Sequence, residues 1–339
     1  MNNTINVGIN GFGRIGRLAT RIILDNPFLR LTAINSRAQV SSHAYLLKYD
    51  STYGTIKNDI NAKDNFLYID SAKINVFNFD NPDSIPWNKA EVDIVIDATG
   101  KFRTSSDLIS HLKTGPKYVI LSSPAKDNTK TFVYGVNNHA FDPKKDKIIS
   151  NSSCTTNCLS TTLKVIHDNF NVLNGFMTTV HAVTDSQNLL DNSHKKEVRL
   201  RRSSFLSMIP SATGSANDIN KLFPELSGKI NCQAIRIPLP TVSMIILTVN
   251  LKKSATAEEI NDSYKKASNK NLKNILAVSH DELVSKDFTG SPYSSIIDLH
   301  LTKTQGNMAN IYSWYDNEWG YTSRLVDMVE YIGKKAGII

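Results

Sequence analysis

Short apolar runs and helical stripes alternate through the first 150 residues. INVGIN (5–10) predicts a strand, and Ile15, Leu18, Ile22 and Ile23 then share one face of a helix. LTAIN (31–35) predicts a second strand. VDIVIDATG (92–100) is apolar almost throughout, the pattern of a strand covered on both faces. YVILSS (118–123), TFVYGV (131–136) and KIIS (147–150) continue the series. Strands separated by helices imply parallel βαβ units and a doubly wound α/β sheet.

Past residue 150 the texture changes. Leu159, Leu163, Ile166 and Phe170 mark one helix face. Longer strands follow: GFMTTVHAV (175–183), QAIRIPL (233–239), VSMIILTVNL (242–251) and ANIYSWYDN (309–317). Longer strands with longer connections predict an α+β domain whose sheet is mainly antiparallel. EEINDSYKKASN (258–269) predicts a covering helix, and Leu325, Met328, Val329 and Ile332 predict a terminal one. The change of pattern near 150 is the expected domain boundary.

A chain of 339 residues exceeds one compact core, which agrees with two domains. Its 40% hydrophobic and 21% charged residues exclude the disordered and fibrous classes. No apolar run reaches the roughly 18 residues of a membrane span. MNNTINVGIN lacks the basic start and apolar stretch of a signal peptide. Three cysteines, Cys154, Cys158 and Cys232, are too few and too odd for a disulfide framework. Together these features predict a cytoplasmic protein. No Cys/His group has zinc spacing, so no metal is expected. The net charge of +8 favours anionic partners, either phosphorylated metabolites or nucleic acid. No nucleic-acid motif stands out, so nucleic acid is not expected as the primary partner.

GFGRIG, from Gly11 to Gly16, follows a predicted strand and opens a predicted helix. In that setting G-x-G-x-x-G is a dinucleotide cradle of the Rossmann type. Gly11 permits the tight turn, Gly13 lets backbone approach a pyrophosphate, and Gly16 allows helix to pack on strand. Phe12, Arg14 and Ile15 belong to the same loop and helix start, where free N–H groups favour an anion. At the end of the second strand an NAD enzyme places an acid on the ribose 2′-hydroxyl. Here AINSRA offers Ser36 and Arg37 instead. A serine does not repel a 2′-phosphate and an arginine neutralises one, which points to NADP or to use of both cofactors.

SNSSCTTNC (150–158) sets Cys154 among small hydroxyl residues rather than apolar ones. Ser152 or Ser153 is a good N-cap for the helix that follows, so Cys154 falls in its first turn. Such a position is expected to draw a thiol toward or below neutrality, making a nucleophile. Cys158, one turn on, is expected to be a small core residue. A cysteine nucleophile usually needs an imidazole, and His181 in TTVHAVTDSQ is one candidate.

INGFGRIGR, LLKYDSTYG, SNSSCTTNC, MTTVHAVT, IPSATG and SWYDNEWGY occur in this order across the whole chain. Together they resemble phosphorylating glyceraldehyde-3-phosphate dehydrogenase. The resemblance implies a Rossmann domain over 1–152, completed by a C-terminal helix over 318–339, and a catalytic domain over 153–317. It implies that Cys154 attacks the aldehyde and that His181 promotes the thiolate and acts as acid–base. The intermediates would be a thiohemiacetal and then a thioester, which inorganic phosphate converts to an acyl phosphate. The product would be 1,3-bisphosphoglycerate, in glycolysis or gluconeogenesis. Thr184 and Arg236 match residues that grip the substrate's phosphate. Ser153, Thr155, Thr213 and Gly214 match the site of the attacking phosphate. An arginine of the RLRR run should assist, Arg199 ahead of Arg202. Asn317 matches the partner of the nicotinamide amide, and Gly100 and Ser122 match the cofactor pocket. A homotetramer is implied as well.

Departures from the family pattern bear on the cofactor. NAD-specific members carry Asp where Ser36 stands. The family often has Arg near Asp80, beside the adenine, and none stands here. Ser193 resembles a serine that NADP-accepting photosynthetic members offer from a neighbouring subunit. A related enzyme, erythrose-4-phosphate dehydrogenase, shares the cysteine chemistry. It tends to lose the threonine of HAxT and the S-x-T-G pattern, both present here as Thr184 and SATG. A secondary nucleic-acid-binding or regulatory role on the same scaffold is a further alternative.

Overall fold

A computed structural model describes residues 4–195 and 197–339. The chain divides into two compact units, one running to Ser152 and taking in Thr322–Ile339, the other Ser153–Tyr321.

The first unit is built on six parallel strands: β1 (Ile5–Asn10), β2 (Leu29–Asn35), β3 (Ala72–Phe77), β4 (Ile94–Asp97), β5 (Tyr118–Leu121) and β6 (Ile148–Ser150). Their order in the sheet is β3-β2-β1-β4-β5-β6. All five pairings are parallel. The chain reverses its direction of winding between β1 and β4, and such switch points open a crevice at the strands' carboxyl ends. All four residues of β4 are buried, as expected of a strand covered on both faces. Helices α1 (Arg14–Leu24), α2 (Val40–Lys48) and α3 (Ser105–Leu112) supply the cover. Thr104 and Asp107 form a reciprocal capping box that starts α3.

Three features of this unit differ from the sequence pattern, and the first is β3 itself, which no expected run covers. An antiparallel hairpin, Ile60–Lys63 with Phe66–Ile69, extends the sheet beyond β3. The run 131–136 does not form the expected strand. Only Thr131 makes a bridge, to Ser150. The chain then turns, because the Asn137 side chain takes the backbone groups a neighbouring strand would have taken. Its amide donates to Thr131 O at 2.9 Å and accepts from Val133 N at 2.8 Å. Phe132 and Val133 are buried from a loop, so their apolarity marks the core and no strand.

The second unit packs helices on a mixed, mainly antiparallel sheet. Its elements are α4 (Cys154–Phe170), β7 (Val172–His181), β8 (Ile209–Ser211), α5 (Ser215–Leu222), β9 (Ile230–Arg236) and β10 (Ser243–Leu251). There follow α6 (Ala257–Asn269), β11 (Leu276–Ser279), β12 (Ser295–Asp298) and β13 (Met308–Tyr315). The order is β8-β9-β7-β10-β13-β12-β11, with the short strand Lys303–Gln305 beside β13. Two neighbouring pairs are parallel, β7 with β9 and β11 with β12. Burial alternates along β10, so one face of this sheet meets the helices. Leu159, Leu163 and Ile166 of α4 are fully buried, and truncating one to alanine would cost about 2–5 kcal/mol.

The last helix, α7 (Trp319–Lys335), crosses the boundary between the two units. From Leu325 onward its apolar stripe joins the core around Ile5, Ile9 and Ile94 of the first unit.

Candidate active site

The glycine loop joins β1 to α1 as a bare anion cradle. Gly13 caps α1 without a side-chain bond, and no acidic residue stands in the first turn. The helix therefore begins without a side-chain cap and with an uncompensated dipole. Gly11 has φ +93, and a Cβ there would lie 2.8 Å from the backbone of Ala98 and Thr99. A Cβ on Gly16 would stand 2.3 Å from the Gly11 carbonyl, whereas around Gly13 the space is open. The cradle thus fits a pyrophosphate drawn against backbone. The side chains of Phe12 and Arg14 turn away from it. Phe12 is buried edge-on to His43, and Arg14 is bonded to Asp50 at 2.5 Å.

A cleft at the strand ends runs from Gly11 and Gly13 past Thr99 to Ser36, Arg37 and Asp80. Its floor is held by buried polar groups that no sequence motif announced. Asn35 Nδ2 donates to Asn10 Oδ1 at 2.8 Å, and Asn10 Nδ2 donates to Asp97 Oδ2 at 2.8 Å. Asp97 Oδ1 in turn accepts from Thr99 N at 3.1 Å. The readable signal was an asparagine closing each of two apolar runs. Ser36 is half-buried, and exposed Arg37 has no ion pair among the described residues. Asp80 places a carboxylate in the same cleft. Gly100, at φ +65, and Ser122 lie just past the ends of β4 and β5.

In the second unit Ser153 caps α4 by accepting from Thr156 N at 3.1 Å. Cys154 is therefore the first helical residue and is half-buried. Its Sγ stands 3.5 Å from His181 Nε2. His181 ends β7, and the parallel ladder pairs it with Arg236 at the end of β9. Arg236 Nη1 lies 2.6 Å from His181 Nδ1, while Nδ1 also lies 2.7 Å from Ala182 O. One nitrogen cannot donate to the carbonyl and accept from the guanidinium together. Donation to Ala182 O leaves a lone pair on Nε2 facing the thiol. Acceptance from Arg236 would put the proton on Nε2 instead.

Burial is the largest influence on both groups. It pushes the Cys154 thiol up, opposed by the Arg236 charge and by donors from Thr155. It pushes the His181 imidazole down to about 3, and the Arg236 charge adds to the effect. This modifies the expectation of a thiol at or below neutrality, because the helix terminus is not the only influence on it. Each group taken singly is held neutral. A thiolate and an imidazolium formed together attract one another, so the two titrate as a pair. Cys158 has no such partner. It is buried, lies 3.4 Å from Ser313 Oγ, and is pushed up to about 12.

Hydroxyl groups link the start of α4 to the start of α5. Ser153 Oγ, Thr156 Oγ1, Ser215 Oγ and Thr213 Oγ1 follow one another at 2.8, 3.3 and 3.0 Å. Gly214, at the N-cap of α5, is exposed. Thr155 is buried, with its hydroxyl 3.0 Å from Tyr315 OH, so it presents no free hydroxyl. Thr184 Oγ1 is 3.1 Å from Ser186 Oγ. Ser193, Ser186 and Arg236 line one cleft. Arg199 is exposed and lines a neighbouring cleft with Ser211 and Gln233. Arg202 is committed to Asp191 at 3.0 Å. Asn317 is nearly buried and bonds Ser243.

Comparison with known proteins gives a consistent result over both units. Residues 5–105 match the family model described as glyceraldehyde 3-phosphate dehydrogenase, NAD binding domain. Residues 153–317 match its C-terminal domain. The glyceraldehyde-3-phosphate dehydrogenase of Geobacillus stearothermophilus is 44% identical over 332 residues, covering 98% of this chain and 99% of that one. Glyceraldehyde-3-phosphate dehydrogenase 2 of a Nostoc species is 42% identical over 335 residues, with 98% and 99% covered. The Buchnera aphidicola protein of the same name as the first is 44% identical over 337 residues, with 98% and 100% covered.

Proposed function

The chain belongs to the glyceraldehyde 3-phosphate dehydrogenase family, and on that premise we propose that it oxidises glyceraldehyde 3-phosphate to 1,3-bisphosphoglycerate with inorganic phosphate. The observation that carries this is Cys154 Sγ at 3.5 Å from His181 Nε2, at the start of α4. Sulfur attacks the aldehyde carbon, and its proton passes to His181 Nε2. His181 returns that proton to the new oxyanion, giving a thiohemiacetal. Gly11, Gly13 and Gly16 would hold a nicotinamide dinucleotide, which when bound would supply the hydride acceptor for oxidation of this adduct to a thioester. His181 takes the hydroxyl proton in that step. Inorganic phosphate then attacks the thioester carbon, the C–S bond breaks, and His181 reprotonates the departing sulfur.

Two anion sites serve this sequence. Thr184 and Arg236 hold the phosphate of the substrate. That bond draws Arg236 from His181 Nδ1, which then donates to Ala182 O and keeps Nε2 free to accept. Ser153, Thr213 and Gly214 receive the attacking phosphate, with Thr155 positioned through Tyr315. Arg199 assists rather than Arg202, whose guanidinium is committed elsewhere.

The cofactor is NADP or both NADP and NAD. Ser36 and exposed Arg37 support the first, and Asp80 in the same cleft supports retention of the second. A homotetramer, with Ser193 offered to a neighbour's cofactor, agrees with the exposed Leu189, Leu190, Phe205, Leu206 and Met208. Three free thiols agree with a cytoplasmic setting. The test is cofactor reduction with glyceraldehyde 3-phosphate, NAD or NADP, and phosphate present or absent. Turnover that needs phosphate is expected. Phosphate-independent turnover, or a preference for erythrose 4-phosphate, overturns the proposal.

A further inference from the structure

We propose that Ser243 is a positioning residue that orients Asn317 toward the cofactor and His181 toward the thiol. The inference rests on Asn317 being the partner of the nicotinamide carboxamide.

Ser243 opens β10 and is 1% exposed. Its Oγ lies 3.1 Å from Ala182 N and 2.9 Å from Asn317 Oδ1. A backbone N–H can only donate, so Ser243 Oγ accepts from Ala182. The hydroxyl has one proton left to place in a dry site. Asn317 is its acceptor, which requires that Asn317 present oxygen to Ser243. The Asn317 amide is thereby fixed with its NH2 group turned away from Ser243. Among the described residues that Nδ2 has no partner, so its two donors remain for a ligand carbonyl.

The other end of the contact reaches the thiol. Ala182 gives its N–H to Ser243 and its C=O to His181 Nδ1, 2.7 Å away. Fixing the Ala182 N–H restrains the residue whose carbonyl accepts from Nδ1, and so favours the tautomer whose Nε2 lone pair faces Cys154. One hydroxyl therefore sets the donor face of Asn317 and the basic nitrogen of His181. Val242, just before it, has φ +66, a costly conformation for a buried β-branched residue. The backbone bears that strain at the turn that delivers Ser243.

The experiment compares wild type with Ser243→Ala, Ser243→Thr and Ser243→Cys. The substrate is glyceraldehyde 3-phosphate deuterated at C1, and NMR reads which face of the reduced nicotinamide carries deuterium. Cofactor KM, kcat and the Cys154 alkylation rate are measured alongside, with thermal midpoints to check folding. For Ser243→Ala we expect deuterium on both faces, a 10- to 100-fold fall in kcat/KM for the cofactor and slower alkylation. Ser243→Thr retains the hydroxyl and should restore single-face transfer. Ser243→Cys, close in volume with a weak donor, should resemble Ser243→Ala and serves if the alanine variant is unstable. Single-face transfer with wild-type cofactor KM in both variants that lack the hydroxyl overturns the proposal. Asn317→Ala separates the two levels. If it leaves face selectivity and KM unchanged, the role of Asn317 fails and the proposal falls with it. If it alters them while Ser243→Ala does not, only the role of Ser243 fails.

Discussion

Removing the imidazole of His181 should leave Cys154 chemically present and nearly inert at neutral pH. The perturbation is His181→Gln, which preserves approximate volume and deletes the base. Two unit charges 3.5 Å apart attract by about 5 kcal/mol at an effective dielectric of 20. Cys154 is half-buried, so solvent screens roughly half of that. About 2–3 kcal/mol of pair stabilisation remains, or roughly a hundredfold in thiolate population. Burial continues to push the thiol up in the variant, with nothing from an imidazolium to oppose it. The assay is the pseudo-first-order rate of iodoacetamide alkylation between pH 5 and pH 10, without cofactor. At pH 7 the variant should react about a hundredfold more slowly than wild type. The two rates should converge at high pH, where the thiol ionises unaided. Superimposable profiles would refute the pairing, since the same sulfur would then ionise without its partner.

Three other outcomes follow from the geometry. Ser36→Asp puts a carboxylate at the end of β2 and should lower kcat/KM with NADP by about a hundredfold, with little effect on NAD, because like charges face each other there; equal losses would remove Ser36 from cofactor choice. Gly11→Ala forces a Cβ against Ala98 and Thr99 at positive φ, and should cost about 2 kcal/mol or more of stability together with cofactor affinity, read by thermal melts and titration. His43 is buried edge-on to Phe12, and burial with the nearby Arg17 charge pushes it down. A His held below its unfolded pKa leaves stability intact above about pH 6.5 and loses it as pH falls, because the unfolded chain binds the proton first. His43→Leu should therefore flatten stability between pH 7 and pH 5 and add about 1 kcal/mol; an unchanged slope would contradict this.

What could be read without coordinates was mostly local. GFGRIG carries its own turn and helix start, and the parallel, doubly wound character of the first unit follows from its βαβ pattern. Ser153 and Cys154 were legible because an N-cap is a contact between residues three apart. His181 was only one candidate among the histidines until its motif was recognised. What picks it out physically is the parallel ladder from Gly175 to His181 against Ile230 to Arg236, which joins segments more than 50 residues apart. The hairpin beyond β3 was missed because its strands are only four residues each and the first, INAK, is half polar. The run 131–136 misled because apolar content reports burial, whereas Asn137 decided the backbone path. Ser243 carries no sequence signal, since a serine opening an apolar strand looks like any strand end. Its meaning comes from Ala182 and Asn317, distant in sequence and adjacent only after folding.

The most direct measurement is a single turnover without phosphate, followed by mass spectrometry of the Cys154 peptide. Enzyme, glyceraldehyde 3-phosphate and oxidised cofactor should give a burst of reduced cofactor equal to the active sites. The Cys154 peptide should then carry an acyl group that added phosphate discharges. Steady turnover without phosphate, or a burst that leaves Cys154 unmodified, would contradict the account.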